Sequence, residues 1–388
     1  MHDPVTDLVV LVPGFLGFSR VGEFYYFAER VIATLRGALE ARLDRCVPVV
    51  PCRTQPTRRL AERQQFLLGR IRSLDEALGG VRRVHLVGHS TGGLDAELLT
   101  WDKPLAGDSW GPYAQVRDKI ASVTTIAAPL LGSSLAASNV ARFFEEPILN
   151  LRSVPDVLCL LQRLAVLVPR VQASADAAAG ILSSQPETLK FFLNVLSHRD
   201  LIGNLAPRVV AQLRSGGRSD GRVQITSFVT VTPAVADAEP EMDSFFIALR
   251  SIIAAYALPA VNDVIRENVT LLRAHAAQAI RAPGVTPPEI DASTNDGLVD
   301  SARQIMNAAL PDQLGGILIA DHADVLGHYD RKDARIESRP LNGSLLHSGS
   351  RFGDDEFFAL YQHVAAAIVR AIRAGGEREH APGLPAAA

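Results

Sequence analysis

Two rhythms of apolar and polar residues alternate over the first ninety positions. Residues 8–12 form an unbroken β-branched and leucine run, the pattern of a strand buried on both faces. After "PGFLGF", apolar residues recur at Phe24, Phe27, Val31, Leu35 and Leu39, and this three-and-four spacing predicts a helix from about residue 23 to 43. A short strand follows at 47–50. The segment "PTRRLAERQQFLLGRIRSLDEAL" places Leu60, Leu67, Ile71 and Leu74 on one helical side, and 84–87 is again a short apolar strand. The order β-α-β-α-β predicts a mostly parallel sheet with helices on both faces, because right-handed crossovers return each strand beside an earlier one.

Downstream, 120–126 predicts another strand ending in "AAPLLGSSLA". From about 137 to 215 the pattern turns helical and apolar, punctuated by Pro147, Pro155, Pro169, Pro186 and Pro207. "RVQITSFVTVT" restores alternation, with Val223, Ile225, Ser227, Val229 and Val231 sharing one face. A second helical block spans roughly 242–280, a strand returns near 316–320, and a terminal helix covers about 355–372. The implied fold class is α/β, a mostly parallel central sheet flanked by helices, with a large helical cap from two insertions. The division is 1–136 for the first part of the core, 137–222 for the cap insertion and 223–240 for a core strand. A second cap segment at 241–285, the remaining core at 286–374 and a disordered tail at 375–388 complete it.

The chain has 388 residues, 47% hydrophobic and 21% charged, with a formal net charge of −3. That balance fits a globular protein with a sizeable core and carries no nucleic-acid footprint. Three cysteines, Cys46, Cys52 and Cys159, form neither a disulfide framework nor a zinc pattern. With no cationic leader before the short apolar run, a cytoplasmic location is expected. The apolar stretch 154–169 carries Asp156 and Arg163 and is shorter than the roughly 20 residues of a spanning helix. It reads as an amphipathic element that either packs on the core or touches a lipid surface transiently as a lid. Oligomeric state is left open.

Candidate chemistry concentrates at serine. Three G-x-S-x-G matches occur: "GHSTG" at 88–92, "GDSWG" at 107–111 and "GRSDG" at 217–221. Only the first follows an apolar strand and precedes a helical pattern, the strand-turn-helix context in which a nucleophile is lifted above a sheet edge. Ser90 is therefore the candidate nucleophile, and Ser109 and Ser219 read as loop serines. His85 and His89 flank the bend and read as packing or hydrogen-bonding residues. A serine hydroxyl needs a base within reach and a third group to orient that base.

"VPGFLGF", "GHSTGG", "APLLGSSLA", "TNDGLVDSARQ" and "ADHADVLGHY", in this order, resemble the α/β-hydrolase superfamily and, within it, bacterial lipases and esterases. The cap segments resemble no family. The resemblance implies a chain order of nucleophile, acid, base. It selects Asp296 from "NDGLV", with Asp300 as fallback, and His322 from "DHAD", with His328 next and His347 and His363 behind. The oxyanion donors it implies are the amides of Phe15 and Thr91. Pro13 and Leu130 depart from the family, standing where many of these lipases carry histidine. Some members hold a structural calcium through the aspartate two residues after the histidine, here Asp324, but no second ligand is identifiable, so neither metal nor cofactor is expected.

The expected activity is that of a serine esterase or lipase, a carboxylic-ester hydrolase acting through a Ser-His-Asp catalytic triad. An apolar cap implies a small-molecule or lipid-like ester with a greasy portion. The alternatives are an acyltransferase using the same triad and a non-catalytic hydrolase-fold binding protein.

Overall fold

The computed structural model describes residues 6–15, 20–21, 24–55, 58–137, 200–219, 221–234, 244–307, 313–329 and 348–380. Its strands are β1 (Asp7–Val12), β2 (Arg20–Val21), β3 (Phe24–Tyr25), β4 (Val49–Pro51), β5 (Arg83–His89), β6 (Ile120–Ile126), β7 (Gln224–Val231) and β8 (Leu314–Ile319). β2 and β3 pair antiparallel as a separate small ribbon. The other six are parallel in the order β4-β1-β5-β6-β7-β8. The α-helices are α1 (Glu29–Leu43), α2 (Leu60–Ala77), α3 (Thr91–Leu98), α4 (Ala114–Asp118), α5 (Ser134–Ala137), α6 (Asp200–Asn204), α7 (Pro207–Ser215), α8 (Ser244–Ala257), α9 (Asp263–His275) and α10 (Asp354–His380).

Side chains alternate across each strand, so the sheet carries two apolar faces. Val9, Leu11, Val87, Ile126, Phe228 and Leu318 pack with the buried stripes of α1 and α10. Leu8, Val10, Val12, Leu86 and Val123 pack on the other face against α2 and α3. From β1 the chain first builds β4 on one side and then crosses to β5 on the other. The carboxyl ends of β1 and β5 therefore flank a topological switch point, where open α/β sheets leave a crevice.

Four expectations change. The first helix begins at Glu29, not near residue 23, and Phe24 and Tyr25 lie in β3. An unbroken aromatic run, Phe24 to Phe27, favours extended backbone, and it buries Tyr26 and Phe27. β7 is buried on both faces instead of one, because α9 covers Val229 and Val231 while Phe228 meets the opposite layer. The block 241–285, expected in a cap, divides. α9 lies flat on β7 and β8 through Ile265, Val269 and Leu272, a core layer rather than a cover. Its start is capped by Asn262, whose side chain accepts the Ile265 N–H at 3.0 Å.

The terminal helix continues to His380, past the expected end near residue 372. Its extension through "EREH" uses good helix formers after the paired glycines. Most of the expected cap insertion, including the apolar stretch 154–169, lies outside the described residues, as do 381–388 of the expected tail. Among the described residues no helix is long and apolar enough to cross a membrane.

β8 approaches β7 closely at its start. A Cβ on Gly315 would lie 2.6 Å from Thr226 Cγ2 and 2.7 Å from Phe228 Cζ. Gly315→Ala is expected to cost about 1–3 kcal/mol through overpacking. The loss should shrink in a Phe228→Leu background, which frees the contested space, and urea denaturation of the two singles and the double measures that coupling.

Candidate active site

Ser90 stands between β5 and α3 with φ 54° and ψ −135°, a conformation that L-residues rarely adopt. Backbone contacts on all sides enforce it. A Cβ on Gly88 would fall 2.4 Å from Gly92 O, and one on Gly92 would fall 2.3 Å from Val12 O. Both positions must be glycine for α3 to start against the ends of β1 and β5. The Ser90 N–H donates to Ile126 O at 3.0 Å, and its carbonyl accepts the Gly93 N–H at 2.9 Å. The serine is nearly buried, 7% exposed. The Thr91 N–H heads α3, where the first amides have no acceptor within the helix.

Asp296 and His322 arrive on the loops around β8. Their own backbone ties them, His322 N–H donating to Asp296 O at 3.1 Å, and His322 Nδ1 lies 2.8 Å from Asp296 Oδ2. Asp296 is wholly buried and ringed by donors. Thr230 Oγ1 at 2.6 Å and Gln304 Nε2 at 3.1 Å donate to Oδ2, while the N–H groups of Leu298 and Val299 reach Oδ1 at 3.0 and 2.8 Å. A carboxylate so occupied acts as acceptor toward His322, which places that proton on Nδ1 and leaves Nε2 its lone pair.

Among the described residues no hydrogen bond joins Ser90 Oγ to His322. His89, the residue before Ser90, packs on His322: the ring centroids are 4.7 Å apart and His89 Nε2 lies 2.8 Å from His322 O.

The competing assignments lie elsewhere. Asp300 Oδ2 accepts the Ser134 N–H at 2.8 Å, away from His322. His328 Nε2 donates to the carbonyls of Tyr25 and Tyr26 at 2.9 and 3.2 Å. His363 is exposed on α10, and His347 lies outside the described residues. Ser109 sits in an exposed loop, and Ser219 accepts the Thr100 hydroxyl at 3.0 Å. His85 is buried in β5 between Ser122 and Asp7.

Phe15 is half-buried in the loop after β1, against an apolar cluster of Leu60, Leu94, Leu98, Trp101, Leu201 and Leu205. The loop rests on an interior ion pair. Arg63 Nε meets both oxygens of Asp95 at 3.1 and 3.0 Å, and its Nη2 reaches Gly14 O and Thr91 Oγ1 at 3.5 Å each. Burial pushes the Asp95 carboxyl up, and the Arg63 guanidinium pulls it back. Thr230, Gln304 and the Arg63–Asp95 pair were not legible in the sequence, since no motif or spacing marks them.

A second carboxylate pair brackets His322. Asp321 Oδ1 accepts the Ala323 and Asp324 N–H groups at 2.8 and 3.0 Å, and Ser348 donates to its Oδ2 at 3.0 Å. Asp324 Oδ2 accepts the Asp321 N–H at 2.9 Å and the Ser350 hydroxyl at 2.7 Å. These oxygens are committed to protein donors, and among the described residues no third carboxylate, histidine or cysteine joins them. The four carboxylate oxygens of this pair are fewer than the six or more that calcium takes. Burial first, and then the Asp296 charge, raise Asp321 to about 6; burial and Asp321 raise Asp324 well above the ordinary range.

Among solved structures, the chain is similar to EstA from Clostridium botulinum at 14% identity, covering 94% of this chain and 87% of that one with a TM-score of 0.53. It also aligns with Staphylococcus hyicus lipase at 15% identity, over 95% and 96% of the two chains, with a TM-score of 0.49. No protein-family model matches the chain, and no curated protein matches it in sequence. The fold is of the α/β-hydrolase type: a parallel sheet flanked by helices, with a strained serine after its third parallel strand in chain order.

Because the folded state raises the Asp321 and Asp324 pKa values above the unfolded value near 3.9, it holds more protons than the unfolded chain between about pH 4 and pH 6 and beyond. The pair's contribution to stability is full below about pH 4 and declines as pH rises. Asp324→Asn, which keeps a neutral partner for Asp321, should compare better with wild type at pH 8 than at pH 5 in denaturant midpoints. An equal difference at both pH values rejects the raised carboxyls.

Proposed function

We propose that the protein is a serine carboxylic-ester hydrolase, with Ser90 as nucleophile, His322 as base and Asp296 as its orienting acid. The observation that supports this reading most strongly is the buried Asp296–His322 pair packed against His89, the residue that precedes the strained Ser90. Ser90 Oγ bonds to the ester carbonyl carbon as its proton passes to His322 Nε2. The tetrahedral intermediate then breaks its bond to the alcohol oxygen, and the alcohol leaves with that proton. Water gives a proton to the same nitrogen and adds to the acyl carbon. Collapse releases the acid and restores the serine.

The Phe15 and Thr91 amides are the oxyanion donors in this scheme, each worth about 3–4 kcal/mol at the transition state. The leucine-rich cluster next to Phe15 supports an ester with an apolar portion.

A fluorophosphonate should label Ser90 and leave Ser109 and Ser219 untouched, as read by peptide mass spectrometry. Ser90→Ala and His322→Ala should each lower kcat on an activated ester by on the order of 10⁴-fold or more. His363→Ala, on the exposed face of α10, should retain wild-type turnover. Label on another serine, or full activity in His322→Ala, rejects the assignment.

A further inference from the structure

Three loops meet behind Ser90: the one after β1 that carries Gly14 and Phe15, the elbow itself, and the His322 loop after β8. Tyr26 and His89 link all three by hydrogen bonds and close packing. Tyr26 is buried, and its hydroxyl lies 2.7 Å from His89 Nδ1 and packs against Gly14. His89 Nε2 lies 2.8 Å from His322 O.

The direction of every bond follows from the last one. A carbonyl oxygen can only accept, so His89 carries its proton on Nε2. Burial, reinforced by the neighbouring His322, holds the His89 pKa well below the usual imidazole range, so the ring is neutral and Nδ1 is an acceptor. Tyr26 must then donate its one proton to His89.

We propose that Tyr26 and His89 are positioning residues that hold the oxyanion loop, the nucleophile elbow and the base loop in one fixed relation. This inference rests on the ester-hydrolase reading above. Gly14 is the lever. Its α-carbon lies against the Tyr26 hydroxyl and its carbonyl faces Arg63 Nη2 at 3.5 Å. The Gly14 carbonyl and the Phe15 N–H belong to one planar trans peptide and point in opposite directions. Fixing Gly14 at both ends therefore aims the Phe15 amide. The space is closed as well: a Cβ on Gly14 would lie 2.3 Å from the Tyr26 hydroxyl and 2.7 Å from Ser90 Cβ. At the other end, His89 grips the backbone of His322 rather than its ring. It sets where the base stands while leaving both imidazole nitrogens of His322 to Asp296 and the substrate. A neutral His89 also adds no positive charge beside the imidazolium that forms at His322 during acyl transfer.

Two measurements on the full chain test this. In protein labelled with ¹⁵N-histidine, the His89 resonances, assigned by their loss in His89→Gln, should report a neutral ring protonated on Nε2 throughout pH 5–8. A His89 that titrates in that range, or carries its proton on Nδ1, overturns the proposal, whatever any variant does. Tyr26→Phe, which removes one oxygen, should lower kcat about 10- to 100-fold with KM within about threefold, the signature of a misplaced transition-state donor. A Tyr26→Phe enzyme within twofold of wild-type kcat overturns the tie while the ester-hydrolase reading stands. Wild-type protein without Ser90-dependent hydrolysis overturns that reading and the catalytic consequence drawn here together. The NMR result still reports on the hydrogen bonds alone.

Discussion

The backbone at Ser90 is held where a serine would not choose to be. Left-handed φ with extended ψ costs of order 1–3 kcal/mol, and such a residue persists only where its surroundings over-determine it. Here they do so from three directions. The sheet holds the Ser90 amide through Ile126, β1 presses its last carbonyls onto Gly92, and α3 packs its first turn back onto Gly88. None of these contacts involves a long side chain that can move aside. The bend is a property of the six-stranded sheet as a whole, and the placement of the hydroxyl is as rigid as the strand register that supports it.

That dependence explains which features could be read from the chain. Strand β6 and the elbow were legible, because an apolar run bounded by glycines states its own geometry. The choice of Asp296 and His322 came from their place in an ordered set of motifs rather than from spacing, which cannot distinguish Asp296 from Asp300, and the fold joins the two by a hydrogen bond. α9 was misplaced into a cap because periodicity reveals that a helix has an apolar face, not what covers it. The start of α1 was misread because Phe24 and Phe27 fit a helical rhythm, yet the aromatic run between them serves β3 and the interior. Tyr26, Arg63, Thr230 and Gln304 carried no signal at all. Their partners lie far away in sequence, 63 positions in the case of Tyr26 and His89, and such pairings exist only once the sheet has formed.

Around His322 the fold gives three carboxylates two different characters by local donors alone. Asp296 has five donors converging on it, two of them backbone amides, and none of its partners competes as an acceptor. Asp321 and Asp324 lie in the same buried region, where burial pushes both carboxyls up, with the Asp296 charge adding to the rise at Asp321 and Asp321 to that at Asp324. The histidine loop is thus anchored on its far side by an assembly that carries less negative charge than its composition suggests. On its near side stands a full acceptor. An imidazole placed between such neighbours is drawn toward Asp296 and not toward the pair. The same separation recurs at the two adjacent histidines: His89 is bonded to a carbonyl and a phenol and is held neutral, while His322 is bonded through Nδ1 to a carboxylate, with Nε2 outside that bond. Two residues of one type differ in capability because one is surrounded by neutral dipoles and the other by a charge.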